Sequence, residues 1–214
     1  MRKFWVFPIL SVCVGVSLYA ASITLESSTF TPDPGNTVSL FVRGAPLGAS
    51  FLWDLDGDGS YERTTQEPQT TFVMAEGVRP VRVEVVSGGK SLTQFKVIFV
   101  ADKRLGATRT VVLEGTSYLV TICVAPKTTV IAPGIIEEIP SGFGVEVVAN
   151  DGAFWRRAER LEAVWPLILD PGQTVSFSYR LYPLAGVSFQ FSGLVSAYAA
   201  GKRVEIPIAG VAQP

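Results

Sequence analysis

Histidine is absent from the whole 214-residue chain. That absence excludes a Ser-His-Asp triad, a Cys-His nucleophile pair and imidazole ligation of zinc. Cysteine is almost as scarce, with Cys13 near the start and Cys123 in the interior. Neither a disulfide framework nor a Cys-type zinc site follows from so few. Cys123 lies in the run Tyr118-Leu119-Val120-Thr121-Ile122-Cys123-Val124, where it reads as a buried small hydrophobe. No charge of either sign is in excess: 18 Lys and Arg face 19 Asp and Glu, for a formal charge of −1. A nucleic-acid footprint needs a basic patch, and none stands out. Arg156, Arg157 and Arg160 are interleaved with Glu159 and Glu162 and read as a solvated surface. The phosphate-loop flavour of Ser87-Gly88-Gly89-Lys90-Ser91 fails because Glu84 stands where the first glycine is required.

What the chain does have is 48% hydrophobic and 17% charged residues, a balance suited to a globular protein rather than a disordered one. Its first residues read as an export signal. Arg2 and Lys3 precede an apolar stretch over residues 4–16, and the small residues Ser17, Ala20, Ala21 and Ser22 follow. Cleavage is expected after Ala20 or Ala21, leaving no membrane span. Cys13 would leave with the signal.

Beyond the signal, short runs rich in Val, Ile, Thr, Phe and Tyr alternate with Gly, Pro, Asp and Asn, the texture of an all-β sandwich. In Val81-Arg82-Val83-Glu84-Val85 one face is apolar and the other charged. The glycine pair of Ser87-Gly88-Gly89-Lys90 then predicts a hairpin joining 81–86 to 92–100. Residues 101–107 are polar and carry no alternation, so they read as a linker. Residues 155–164 are the only helix-like stretch and read either as a short helix or as an irregular excursion over the sandwich. The expected fold is all-β: two tandem immunoglobulin-like β-sandwiches after an N-terminal signal peptide. The expected boundaries are 1–21 for the signal, 22–100 for the first sandwich, 101–107 for the linker and 108–214 for the second sandwich.

The most specific local pattern is Trp53-Asp54-Leu55-Asp56-Gly57-Asp58-Gly59-Ser60-Tyr61-Glu62. A strand ends in a tryptophan suited to a sandwich core, and an acidic, glycine-rich turn follows. This stretch resembles the signature of the polycystic kidney disease (PKD) domain. Phe72, Gly77 and the alternating Val81, Val83 and Val85 extend the likeness over about residues 23 to 100. The resemblance implies a non-catalytic immunoglobulin-like sandwich serving adhesion, spacing, or binding of polysaccharide or protein.

Asp54, Asp56 and Asp58 also stand at positions one, three and five of a calcium loop. Position twelve is Thr65, not the bidentate Glu of an EF-hand. Two readings stay open: a turn held by its own backbone, or a weak calcium site of Asp54, Asp56, Asp58 and Glu62.

The second half carries Ile135-Ile136-Glu137-Glu138-Ile139-Pro140-Ser141-Gly142-Phe143 and then Asp170-Pro171-Gly172-Gln173 before the alternating Thr174–Tyr179. It is similar to the repeated β-sandwich modules of bacterial and archaeal surface proteins. That similarity implies extracellular display without enzymatic activity. Glu137 and Glu138 are adjacent in a predicted strand, point to opposite faces and make a poor acid/base pair. No enzyme is expected. Phe154, Trp155 and Trp165 flank the helix-like stretch. They either close the core or face solvent as a ligand platform. The expected function is a secreted, non-catalytic structural, adhesion or protein-interaction module of the cell envelope, meeting an envelope protein or polysaccharide. Carbohydrate binding through Phe154, Trp155 and Trp165 is the alternative.

Overall fold

A computed structural model describes residues 23–213, and among them every regular element is a strand. The expected signal over 1–21 lies outside the described residues. The first half contains β1 (Thr24–Ser27), β2 (Thr37–Arg43), β3 (Ser50–Asp54), β4 (Arg63–Thr65), β5 (Gln69–Val73), β6 (Gly77–Ser87) and β7 (Lys90–Ala101). The second contains β8 (Leu105–Glu114), β9 (Ser117–Pro126), β10 (Val130–Glu138), β11 (Gly144–Ala149), β12 (Phe154–Arg157), β13 (Arg160–Val164), β14 (Ile168–Leu169), β15 (Val175–Tyr182), β16 (Ser192–Ala199), β17 (Lys202–Pro207) and β18 (Ala209–Gln213).

Period-two alternation decides which side chains face inward. Val38, Leu40 and Val42 of β2 are buried while Thr37 and Arg43 are exposed. Val81, Val83 and Val85 of β6 meet them from the opposite sheet. Ser87 pairs with Lys90 across the β6–β7 hairpin. Its two central residues, Gly88 and Gly89, have φ of 57° and 75°, and two consecutive positive φ values are what glycine permits in a tight hairpin. In β15, Val175, Phe177 and Tyr179 are buried between half-exposed Ser176, Ser178 and Arg180.

The first sandwich sets the sheet β1-β2-β5 against β7-β6-β3-β4, and the second sets β12-β13-β10-β16-β17 against β11-β15-β9-β8. The chain is therefore all-β, with two immunoglobulin-like sandwiches in tandem. The two larger half-sheets are one sheet, with β18 lying between β8 and β7.

Two expectations need correction. The stretch 101–107 is not a free linker, because Ala101 ends β7 and β8 begins at Leu105. Only Asp102, Lys103 and Arg104 lie between strands. The Asp102 carboxylate accepts from the N–H groups of Arg104 (2.7 Å) and Leu105 (3.2 Å) and from the Arg104 guanidinium (2.7 Å). A polar sequence thus forms a tight, internally bonded turn. The stretch 155–164 is neither a helix nor an irregular excursion but lies in the hairpin β12–β13, with Leu161 and Ala163 buried at period two. Glu162 pairs across it with Arg156 at 2.6 Å.

Candidate functional site

Trp53, one residue before the end of β3, is fully buried and donates its indole N–H to Thr65 Oγ1 at 2.9 Å. The chain then enters the acidic loop. Asp54 is buried; Asp56, Asp58 and Glu62 are exposed, and one carboxylate oxygen from each of the four lies within 4.8 Å of the others. The structure therefore brings together all four residues of the expected calcium set. It also gives their charges other partners. Asp54 accepts from the N–H groups of Gly57 at 2.6 Å and Gly59 at 3.1 Å. Asp56 accepts from Asp58 N–H, Asp58 from Ser60 N–H, and Glu62 from Leu55 N–H. The Arg82 Nε stands 3.4 Å from Asp54, and its Nη2 donates to Gly59 O at 2.6 Å.

A hard cation takes six to eight oxygens. In this loop both oxygens of Asp54 accept backbone N–H groups, while Asp56, Asp58 and Glu62 each accept one N–H through a single oxygen. These bonds hold the turn and leave the second oxygen of each exposed carboxylate open. Gly57 (φ 77°) is part of that geometry, because a Cβ there would collide with the Pro80 ring.

The three expected aromatics separate. Trp165 is fully buried in the second core and donates its indole N–H to Asn150 O at 2.9 Å. It is a packing residue and leaves the ligand-binding set. Phe154 and Trp155 are 70% and 47% exposed. As neighbours on β12 they point to opposite faces of the sheet. Trp155 pairs with the core-facing Ala163, and Phe154 with the outward Val164.

Phe154 instead belongs to a face that sequence reasoning missed. On the outer side of the β12-β13-β10-β16-β17 sheet, Phe154, Val164, Gly134 and Ser196 follow one another across paired strands. The next row is Arg156, Glu162, Ile136 and Leu194. Four residues of β10, Ile131 to Gly134, span three of β16, Tyr198 to Ser196. This β-bulge, with Ala132 at φ 49°, keeps Ile131 on the same outer face. Ile131, Ile168 and Tyr198 are 52%, 61% and 51% exposed. A groove of about 320 Å³ runs over Gly134, lined by Phe154, Trp155, Val164, Ile136 and Ser196 with the Arg156–Glu162 pair beside it; both exposed aromatics of the expected set therefore border it. A strand reading of 160–164 would have revealed the outward phase of β13.

The second core also encloses charge. Arg109 and Glu137 form an ion pair with both side chains 0% exposed, and the buried Tyr179 hydroxyl donates to Glu137 Oε2 at 3.2 Å. Burial raises the Glu137 carboxyl above its usual range, against the pull of Arg109, and burial raises the Tyr179 phenol well above its own. Glu138 points outward, so the adjacent glutamates are on opposite faces. With no solvent access, the buried cluster offers no place for a substrate.

No protein-family model matches the chain, and no curated protein does either. Solved structures similar to it include a chain reported with manganese lipoxygenase of Gaeumannomyces graminis and zonadhesin of Komagataella pastoris. That match has 10% identity and a TM-score of 0.42, covering 92% of this chain and 95% of that one. A two-domain fibronectin type III segment of chicken tenascin matches at 13% identity and TM-score 0.26, over 89% and 98% of the two chains. The C-terminal domain of the Streptococcus pyogenes antigen I/II-family protein AspA matches at 7% identity and TM-score 0.28, over 87% and 99%. At such identities and scores these likenesses assign no activity. Among the described residues, no helix is long and apolar enough to cross a membrane.

Proposed function

We propose that this chain is an exported, non-catalytic interaction module of the cell envelope, structural or adhesive in role. In this reading the first sandwich is a PKD-like spacer, its acidic loop a self-held turn. The second sandwich carries the working surface. One observation supports that assignment: the apolar outer face formed by Phe154, Val164, Ile131, Ile168 and Tyr198. Isolated surface hydrophobes are ordinary, but a contiguous apolar patch with a polar rim marks an interaction site. The rim charges are paired with one another, Arg156 with Glu162 and Arg203 with Glu205. The face therefore suits a partner without strong net charge.

A polysaccharide partner is the second reading, favoured by Phe154 standing beside the Arg156–Glu162 pair: an aromatic face next to hydrogen-bonding groups of both signs. The test is binding of purified chain to isolated envelopes, with Phe154→Ser/Tyr198→Ser as the variant. Aromatic anchors dominate such interfaces, so affinity should fall at least about tenfold, or ~1.4 kcal/mol. Protease treatment of the envelopes abolishes binding if the partner is protein, and periodate treatment abolishes it if the partner is polysaccharide. Unchanged affinity in the double variant would remove the outer face from the function.

A further inference from the structure

We infer that β18 splices the two sandwiches into one rigid, cooperatively folding body, with the buried Arg109–Glu137 pair as its clamp. The inference does not depend on what the outer face binds. β7 and β8 are consecutive in the chain, separated only by Asp102, Lys103 and Arg104, yet they do not pair with each other. β18 occupies the place between them. It runs antiparallel to β7, pairing Gly210 with Ile98 and Val211 with Val97, and parallel to β8, pairing Ala209 with Thr108 and Gly210 with Arg109. A parallel neighbour cannot come from a short hairpin. Here it comes from the second sandwich, where β17 passes into β18 through the single buried residue Ile208. The second sandwich thus donates a strand that continues the sheet of the first.

Three features fasten that strand. Gly210, at φ 104°, lies so close to β8 that a Cβ would collide with the Arg109 carbonyl oxygen; a glycine is required there. The Arg109 Nη1 donates to Val211 O at 3.3 Å while its Nη2 pairs with Glu137. The Arg109 guanidinium lies 5.2 Å from the centre of the Phe191 ring, and Phe191 N–H donates to Ala212 O at 2.7 Å. Burying an ion pair is costly unless its geometry is well satisfied. Arg109 Nε is buried without a partner, while its two terminal nitrogens bridge β18 at Val211 and β10 at Glu137. Other contacts cross the junction as well: Phe30 packs against both cores, Val100 and Ile98 of β7 pack into the second core, and Lys127 reaches Pro32 O at 3.1 Å and Asp33 at 2.7 Å. None of these side-chain contacts joins the sheets.

Calorimetry and small-angle scattering of the full chain test the inference. Wild type should melt in one transition. Gly210→Val should split it into two transitions and increase the radius of gyration at low temperature, as two sandwiches swing about residues 102–104. A chain ending after Ile208 should do the same. Gly201→Ala is the control: it places a Cβ at another positive φ (74°) with nothing within 4 Å, and should lower the melting temperature without splitting the transition. If Gly210→Val and the shortened chain keep one transition and the wild-type radius, the side-chain contacts of Phe30, Ile98, Val100 and Lys127 join the modules and β18 is not the splice. If both variants lose all folded structure, the sandwiches are not separable units and the inference also fails.

Discussion

Asp102 turns what reads as a polar linker into a fixed corner. Burial alone would raise its carboxyl, but the Arg104 guanidinium and the N–H groups of Arg104 and Leu105 outweigh burial, and the group sits below its usual range. A carboxylate lowered in the folded state stabilises the protein above its unfolded pKa, about 3.9. That contribution is lost as pH falls through the lower folded value. Asp102→Asn should therefore cost about 1 kcal/mol at pH 7, a modest value for charge-assisted bonds at a partly exposed corner. The gap to wild type should close as urea midpoints are followed down to about pH 3 and below; a gap that stays constant would show that the charge is not what holds the corner. Single residues were legible in the sequence where a local motif fixed their setting. Trp53, near the end of a strand and ahead of an Asp-Gly turn, is buried as expected. Trp165 was ambiguous because nothing local distinguishes an aromatic that closes a core from one that faces water.

At the scale of elements, glycine placement and alternation were the readable signals. The β6–β7 hairpin was legible because Gly88-Gly89 fixes the turn and the valines fix the register. The β12–β13 hairpin was not, because Glu159, Arg160, Leu161, Glu162 and Ala163 are mostly strong helix formers and local propensity yields to sheet pairing. The acidic loop was legible as a turn, but its spacing alone could not decide between backbone donors and a cation. The structure shows the backbone donors and Arg82 beside Asp54, and the proposed self-held turn rests on them. Melting curves of the full chain in millimolar calcium and in chelator should superimpose. A bound ion would instead stabilise the fold by about 2.7 kcal/mol at a hundredfold excess over Kd. A rise in calcium that disappears in Asp56→Asn/Asp58→Asn would overturn this reading of the loop.

For the whole molecule, the all-β class and the two sandwiches followed from texture, whereas their union did not. β18 is short and small-residued, and Arg109 meets Val211 from 102 positions away; no local pattern carries a pairing of that range. The outer face of the second sandwich was hidden for a related reason, since Phe154, Ile131 and Tyr198 come together only through strand register and a bulge. That face is the centre of the functional account, and hydrogen–deuterium exchange of the full chain with and without saturating envelope material tests it most directly. New protection should fall on residues 130–136, 154–164 and 194–198, leaving the acidic loop at 54–62 unchanged. Protection confined to that loop, or to the first sandwich, would contradict the account.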